Sequence, residues 1–219
     1  MHRLFRRFPT VLASLAVLGL AVPAFAGPPL LCHPYDIGTA RSLPWSGASG
    51  WFDGAAGYDV QRVVADTEAL LTPTTPVIVR METLRRAAIY ASRDRAVATQ
   101  LLQKLVARAE ATKTAGKPDP MAFLDAAYVA GAYREIGMLG NTAEFRDKVD
   151  GVKAALGSTS SMALIAQSVD VRPDDPTIRF AAALIAADQD RATYERHAAL
   201  ARAGASRDAL LAKNIQHVS

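Results

Sequence analysis

The sequence contains one cysteine, Cys32, and few aromatic residues, which make up 7% of the chain. A single cysteine cannot form an intramolecular disulfide, so packing rather than covalent cross-linking must stabilise the fold. After the first 26 positions no stretch approaches the roughly 20 apolar residues that a membrane-spanning helix needs. These absences favour a domain without a permanent membrane anchor, held together by its hydrophobic core.

Motifs for two common chemistries are also missing. In Gly47-Ala48-Ser49-Gly50-Trp51, tryptophan stands where a hydrolase nucleophile elbow needs a second glycine. No Gly-x-Gly spacing occurs, so the sequence lacks a glycine-rich phosphate cradle. Turn formation explains these glycines better, and we predict no bound cofactor.

Residues 1–26 have the pattern of an export signal. Arg3, Arg6 and Arg7 precede a short apolar run from Val11 to Val22, and Ala24-Phe25-Ala26 places small residues where a signal peptidase reads them. A retained anchor is the alternative, but the run is too short to span a bilayer. We therefore expect cleavage after Ala26 and a periplasmic or secreted protein.

Most of the net positive charge belongs to that signal. The whole chain has 25 basic and 21 acidic residues, and the signal contains three arginines and no acid. The remaining chain therefore has 22 basic residues against 21 acidic ones, a net charge of about +1. Such a balance gives little support to nucleic-acid binding, which needs a strongly basic face.

Residues 27–57 differ in composition from the rest of the chain. They are rich in proline and glycine, which interrupt helices and strands, and they hold both tryptophans, Trp45 and Trp51. Their many large apolar residues are untypical of a disordered linker. We predict an irregular but ordered N-terminal arm that packs on the rest of the protein, with Trp45 as its main anchor.

Residues 58–219 are predicted to form a helical-hairpin domain. Apolar residues recur at intervals of three and four, and new helices are indicated near residues 58, 76, 95, 120, 141, 161, 176, 191 and 206. Proline follows a capping residue at three of these starts, Thr75-Pro76, Asp119-Pro120 and Asp175-Pro176. The cleanest apolar stripe lies between the capping box at Asn141-Thr142-Ala143-Glu144 and the stop at Gly157.

The helix starts at 120 and 176 align well, since capping residues, early aromatics and alanine-rich centres coincide. The starts at 76, 120 and 176 are unevenly spaced, so no fixed solenoid period fits. We therefore predict an all-α fold, an irregular array of antiparallel helical hairpins forming an α-α superhelix like that of tetratricopeptide repeats.

Three stretches resemble a group of uncharacterised exported bacterial proteins with a tetratricopeptide-like helical-hairpin body. They are Leu31 to Gly38, Ser42 to Trp45, and Thr75 to Arg86. The resemblance covers roughly the first half of the chain after the signal. It implies an exported helical protein, and it supplies no catalytic residue.

Cys32, His33 and Asp36 bring three potential metal ligands within five residues. Adjacent side chains point apart in an extended chain, and no second ligand pair of typical spacing follows. We therefore expect a buried thiol and a turn in which Asp36 bonds its own backbone. The alternative is a metal- or thiol-dependent hydrolase that uses these three residues.

Two groups of residues are candidates for binding a partner. Trp45 and Trp51 could form an aromatic ledge, although such residues more often anchor a loop. Arg80, Arg85 and Arg86 lie off the apolar stripe of their helix and could receive an acidic partner. The alternative is an ordinary solvated face, with an i,i+4 ion pair between Glu82 and Arg86.

Together these features predict a non-enzymatic protein that binds another envelope protein or a peptide, or serves as a scaffold. Repeated helix pairs with no catalytic spacing motivate this expectation.

Overall fold

The computed structural model describes residues 27–47, 50–143 and 146–218, so the predicted export signal lies outside the described residues. The regular secondary structure of the described residues is entirely helical, without strands, and the helices pack in pairs. The nine described α-helices, in chain order, are α1 Val63–Leu70, α2 Val77–Ala91, α3 Arg95–Thr114, α4 Pro120–Met138, α5 Val149–Leu156, α6 Ser161–Val171, α7 Pro176–Ala186, α8 Arg191–Gly204 and α9 Ala209–Asn214.

Short polar side chains cap most of the helix starts. An oxygen of Asp119 accepts a hydrogen bond from the Met121 N–H, and Asp175 does the same at the start of α7. Both predicted Asp-Pro starts are therefore confirmed, with proline in the first helical turn. Other capping side chains act at α3, α6, α8 and α9, namely Asp94, Ser160, Asp190 and Asp208.

The start of α2 differs from its prediction by one residue. Pro76 itself is the N-cap residue and makes no side-chain cap. The Thr75 hydroxyl instead donates a hydrogen bond to the Leu70 carbonyl at 2.7 Å. The threonine therefore closes the preceding loop rather than capping the helix.

The helix predicted from Asn141 begins later than the capping box indicates. Leu139–Asn141 form a 3-10 turn directly after α4, and α5 begins only at Val149. A Cβ on Gly140 would lie 2.9 Å from Val149 Cγ2, so this turn packs closely on α5. Asn141 thus belongs to the turn and cannot take the extended conformation of an N-cap. Glu144 of the capping box lies outside the described residues.

The last predicted helix is divided. A 3-10 turn at Ala205–Arg207 precedes α9, and a second turn at Ile215–Val218 follows it. Asp208 separates the first turn from the helix, because its extended backbone and side chain cap α9.

Helix α4 lies at the centre of the packing and contacts α2, α3, α5, α6 and α7. Nearly every residue of α4 is buried, as its small and apolar sequence requires. Helices two apart in the chain also pack together, in the pairs α2 with α4, α4 with α6, and α3 with α5. None of the described helices is long and apolar enough to cross a membrane.

Candidate functional site

Residues 27–57 are called the N-terminal segment below, and the part of it that the structure describes, residues 27–47 and 50–57, packs on the helices without forming a helix of its own. An isolated antiparallel bridge joins Trp45 and Gly54. Leu30 and Leu31 are 1% and 0% exposed, and Tyr35 and Leu43 are also buried. Trp45, the predicted main anchor, packs against the core but is only partly buried. The deepest side chains of the segment are the leucines Leu30, Leu31 and Leu43.

A buried carboxylate on α2 organises the contact with this segment. Glu82 accepts hydrogen bonds from Arg85 Nε at 2.8 Å, from Arg85 Nη2 at 2.9 Å and from Arg86 Nε at 2.6 Å. It also accepts the Tyr35 N–H at 3.1 Å. Burial alone would raise the pKa of Glu82, but the hydrogen bonds and charges of the two arginines outweigh it and hold the pKa below its ordinary value.

The predicted i,i+4 pair between Glu82 and Arg86 is confirmed, but its predicted surroundings are wrong. Arg85 and Glu82 are 0% exposed and Arg80 is 2% exposed. Neither a solvated face nor an open partner-binding face describes Arg80 and Arg85. Buried charges of this kind are retained only where they are paired and hydrogen-bonded.

The two arginines next to Glu82 also donate hydrogen bonds to backbone carbonyls of the N-terminal segment. Arg85 Nη1 donates to Leu31 O at 3.2 Å and to Trp51 O at 2.8 Å. Arg86 Nη1 donates to Leu43 O at 2.6 Å. Such charge-assisted bonds are stronger than neutral ones, so they hold the path of the segment over α2.

Tyr90, one turn further along α2, extends this pattern. Its hydroxyl donates to Pro44 O at 2.6 Å and accepts the Ala55 N–H at 2.7 Å. A Cβ on Gly54 would lie 2.3 Å from Tyr90 Cε1, so a glycine is needed where the segment crosses the ring. Tyr90 thus joins both sides of the Trp45–Gly54 bridge to α2.

Helix α4 binds the beginning of the segment. Both carboxylate oxygens of Glu135 lie 3.1 Å from the Leu30 nitrogen, which donates to them. The Tyr128 hydroxyl donates to Leu30 O at 2.7 Å. Burial raises the pKa of Glu135 well above its ordinary value, because the charged form loses its hydration. One residue of the segment is therefore bound through both of its main-chain groups.

Helix α9 binds the segment in the same way at Asp36. Asn214 Oδ1 accepts the Asp36 N–H at 2.8 Å, and Asn214 Nδ2 donates to Asp36 O at 2.9 Å. An amide side chain that bonds both groups of one residue mimics the pairing of two backbones. We call the set of side chains that bind the segment's backbone the backbone-binding face: Glu82, Arg85, Arg86, Tyr90, Tyr128, Glu135 and Asn214.

The two tryptophans of the predicted aromatic ledge, Trp45 and Trp51, contact different aromatic rings in the structure. The guanidinium carbon of Arg85 lies 4.8 Å from the centre of the Trp45 ring, and that of Arg86 lies 6.0 Å from it. Tyr90 meets Trp45 edge to face at 5.5 Å. Trp51 is instead paired with Phe52 at 5.4 Å. The structure thus brings Trp45 together with the predicted arginines as an intramolecular stack.

Arg80 belongs to a different cluster from Arg85 and Arg86. Its Nη1 lies 2.5 Å from Asp125 Oδ2 on α4, and the same oxygen accepts a hydrogen bond from Arg108 on α3. Burial raises the pKa of Asp125 to about 6, against the opposing charges of the two arginines. Arg80 also donates to the backbone carbonyls of Thr72 and Thr75. It therefore ties the loop before α2 to α4.

An open pocket of about 470 Å³ lies beside that loop. Its lining comes from the starts of α2, α4, α7 and α9 and includes Arg172 and the capping residues Asp119 and Asp208. None of the predicted binding residues lines it. Arg80 contacts the lining through the Thr75 carbonyl, to which its Nε donates.

Cys32, His33 and Asp36 do not form one site. Among the described residues no group of three histidine, cysteine, aspartate or glutamate side chains could hold a metal ion. The Asp36 side chain is exposed and accepts the Gly38 N–H at 2.8 Å, which confirms the predicted turn. The His33 ring faces His217 at 5.9 Å. The His33 ring and the Asp36 carboxylate thus have different neighbours.

Cys32 is half-buried rather than fully buried. Burial, assisted by the nearby Glu135 charge, raises the pKa of its thiol to about 11. The thiol is therefore protonated at neutral pH, and a protonated thiol is a poor nucleophile. This environment does not favour the thiol-dependent hydrolase alternative.

Within the backbone-binding face, the sequence predicts only Arg85 and Arg86 as binding residues, and it gives no role at all to Glu135 and Asn214. A signal existed for Glu135, because an acid inside a helix that is apolar on all sides must be buried with a partner. No comparable signal marks Asn214, which ends a short helix of mixed composition.

Comparison with models of known protein families, with curated proteins and with solved structures gives no match for this chain. Its function is therefore inferred from the contacts of its own side chains.

Proposed function

We propose that this chain is an exported, non-enzymatic helical-repeat protein that binds an extended segment of another envelope protein or a peptide. The observation that carries the proposal is the backbone-binding face. Its side chains, placed on α2, α4 and α9, all bond main-chain N–H and C=O groups of one irregular stretch of chain.

This chemistry suits a peptide-binding surface. Recognition of an extended peptide commonly combines main-chain hydrogen bonds, which give affinity, with side-chain pockets, which give specificity. A core made only of helices needs no such side-chain bonds to a backbone, because the backbone of each helix is already hydrogen-bonded within that helix. The buried Arg85 and Glu135 therefore support a surface built to receive non-helical chain.

The proposed architecture is a helical-hairpin array like that of tetratricopeptide repeats, with residues 27–57 as its N-terminal arm. Packing between helices two apart supports it, because stacked hairpins place equivalent helices side by side. The uneven spacing of the hairpins makes the array irregular. Such arrays present extended concave surfaces for proteins or peptides.

Export is the second element of the proposal. The Arg-rich start, the short apolar run and Ala24-Phe25-Ala26 support cleavage that leaves Gly27 as the first residue. Mass spectrometry of the protein from an envelope fraction tests this. Intact residues 1–26 on protein from the cytosol would overturn both the cleavage and the location.

Site-specific cross-linking tests the binding function. A photo-reactive phenylalanine analogue replaces Trp51, which is partly exposed at the edge of the segment, and a control places it at Leu200 of α8, which is 45% exposed. We expect a protein or peptide from envelope extract to cross-link through position 51 and not through position 200. Equal labelling at both positions, or none at position 51, would contradict the proposal.

A further inference from the structure

We propose that the N-terminal segment is a tethered occupant of the backbone-binding face, which leaves it so that a partner's extended segment can take its place. This rests on the proposed function and adds its regulation. In the described structure the face is filled by the protein's own chain, so binding of a partner requires the segment to be released first.

The segment is held as a peptide ligand is held. The bonds to the N–H of Leu30, Tyr35 and Asp36, and to the carbonyls of Leu30, Leu31 and Leu43, use only main-chain atoms of the segment. Leu30 and Leu31 lie in a turn in which the Pro28 carbonyl accepts the N–H groups of Leu31 and Cys32. A partner chain presents the same groups if it forms this turn and if proline removes no N–H. The face therefore recognises the backbone of a non-helical chain first and its sequence second.

Specificity comes from the two buried leucines. A Cβ on Gly131 of α4 would lie only 2.6 Å from Leu30 Cδ1, so Leu30 occupies a space that is open because position 131 has no side chain. Leu31 beside it is fully buried. A competing partner should thus carry two adjacent aliphatic residues, the first with a free N–H.

Release of the segment would keep the buried ion pairs of Glu82. Glu82, Arg85 and Arg86 all lie on α2, so their salt bridges remain when the segment leaves. Release would break an exposed ion pair, the contact of Asp36 with Lys213 at 3.7 Å. The exposed face would therefore be charge-balanced and open to hydration.

The connection of the segment to the helices also suits movement. Cys32 is free, so no disulfide fixes the segment. Gly47 and Gly57 have φ values of +62° and +75°, in the region that glycine adopts without strain. After Gly57 the chain is anchored, because the Tyr58 hydroxyl donates to Asp66 on α1 at 2.8 Å. The segment can thus leave while the helices stay in place.

Hydrogen exchange on the unmodified full chain tests release directly. The amides of Leu30, Tyr35 and Asp36 should exchange together, at least about tenfold faster than interior amides of α4 such as that of Val129. A common rate distinguishes opening of the segment as a unit from fraying at Leu30 alone. Exchange of the three at the rate of Val129, or at three unrelated rates, would overturn the proposal.

A second test adds a fluorescent peptide of residues 27–47 to the full chain and follows anisotropy. Leu31→Asp should weaken the tethered segment and leave the face intact, so this variant should bind the peptide at least about tenfold more tightly than the wild type. A peptide N-methylated at Leu30 should bind at least about tenfold more weakly, because it lacks that N–H. Equal binding by both proteins, or loss of helical circular dichroism in the variant, would show that the segment is a permanent part of the fold.

The outcomes separate the two proposals. If the segment opens and the peptide exchanges, but no partner cross-links to wild type or to Leu31→Asp, the tethered-occupant inference stands and the binding function fails. If a partner cross-links through position 51 while the segment opens only with the whole protein, the protein binds its partner through another surface, and the inference fails together with the backbone-binding face as the binding site.

Discussion

Replacing Glu82 by glutamine tests the buried charge cluster. Glu82 is 0% exposed and accepts three hydrogen bonds from two arginines and one from Tyr35. Glutamine keeps the shape but offers one acceptor oxygen, and its amide donors face the donors of Arg85. The substitution therefore leaves Arg85, also 0% exposed, without a carboxylate partner.

The expected cost follows from that burial. Removing one partner of a buried ion pair typically destabilises by about 3–5 kcal/mol, because the other charge remains desolvated. In a domain of this size each kcal/mol lowers Tm by about 2–4 °C, so Glu82→Gln should lower Tm by about 10 °C. Thermal unfolding followed by circular dichroism near neutral pH measures the shift.

Glu195→Gln is the matched control. Glu195 forms the same kind of i,i+4 pair with Arg191, but both side chains are largely exposed. Exposed ion pairs contribute little to stability, so this variant should have the same Tm as the wild type. If Glu82→Gln also melts within about 2 °C of the wild type, the cluster is hydrated and the reasoning from burial is wrong.

The pH dependence of the same difference gives an independent check. The pKa of Glu82 is depressed in the folded protein, so its contribution is present above the unfolded pKa of about 4.3 and is lost as the pH falls through the folded value. The Tm difference between wild type and Glu82→Gln should therefore be constant near neutral pH and shrink below about pH 4. A difference that grows in acid would contradict the depressed pKa.

Three further predictions concern the beginning of the segment. Gly131→Ala should lower Tm because its Cβ would meet Leu30 Cδ1 at 2.6 Å. In a double-mutant cycle the same substitution should lower Tm less in a Leu30→Ala background. Equal decreases in Tm in both backgrounds would exclude the contact. The pKa of Glu135 is raised in the folded protein, so Glu135 contributes its full stability below the unfolded pKa and loses it as the pH rises. The difference in Tm between wild type and Glu135→Gln should therefore decrease from about pH 4 upward. A difference that increases with pH would contradict the raised pKa. Cys32, with its pKa raised to about 11, should react with a thiol probe far more slowly in the native than in the urea-unfolded protein, and equal rates would show that the thiol is not shielded.

The helix starts could be predicted where their cause lies within a few neighbouring residues. Asp119-Pro120 and Asp175-Pro176 carry the capping oxygen and the preset proline backbone in the sequence itself, and both begin helices as predicted. The apolar period of three and four likewise reports the helical state locally. The prediction from Asn141 failed because a 3-10 turn continues from α4 and is packed against Val149, which is a tertiary contact.

The environment of the charged residues was decided by tertiary structure alone. From the sequence, Arg80 and Arg85 lie off the apolar stripe of α2, a pattern that predicts exposure for a helix with one buried side. In the structure α4 contacts Arg80 through Asp125, and the carbonyls of Leu31 and Trp51 contact Arg85, so both arginines become buried donors. The periodicity of a helix shows which of its sides are polar, but it does not show which part of the chain packs against each side. The partners of Arg85 are 34 and 54 residues away in the chain, and only folding brings their carbonyls to it.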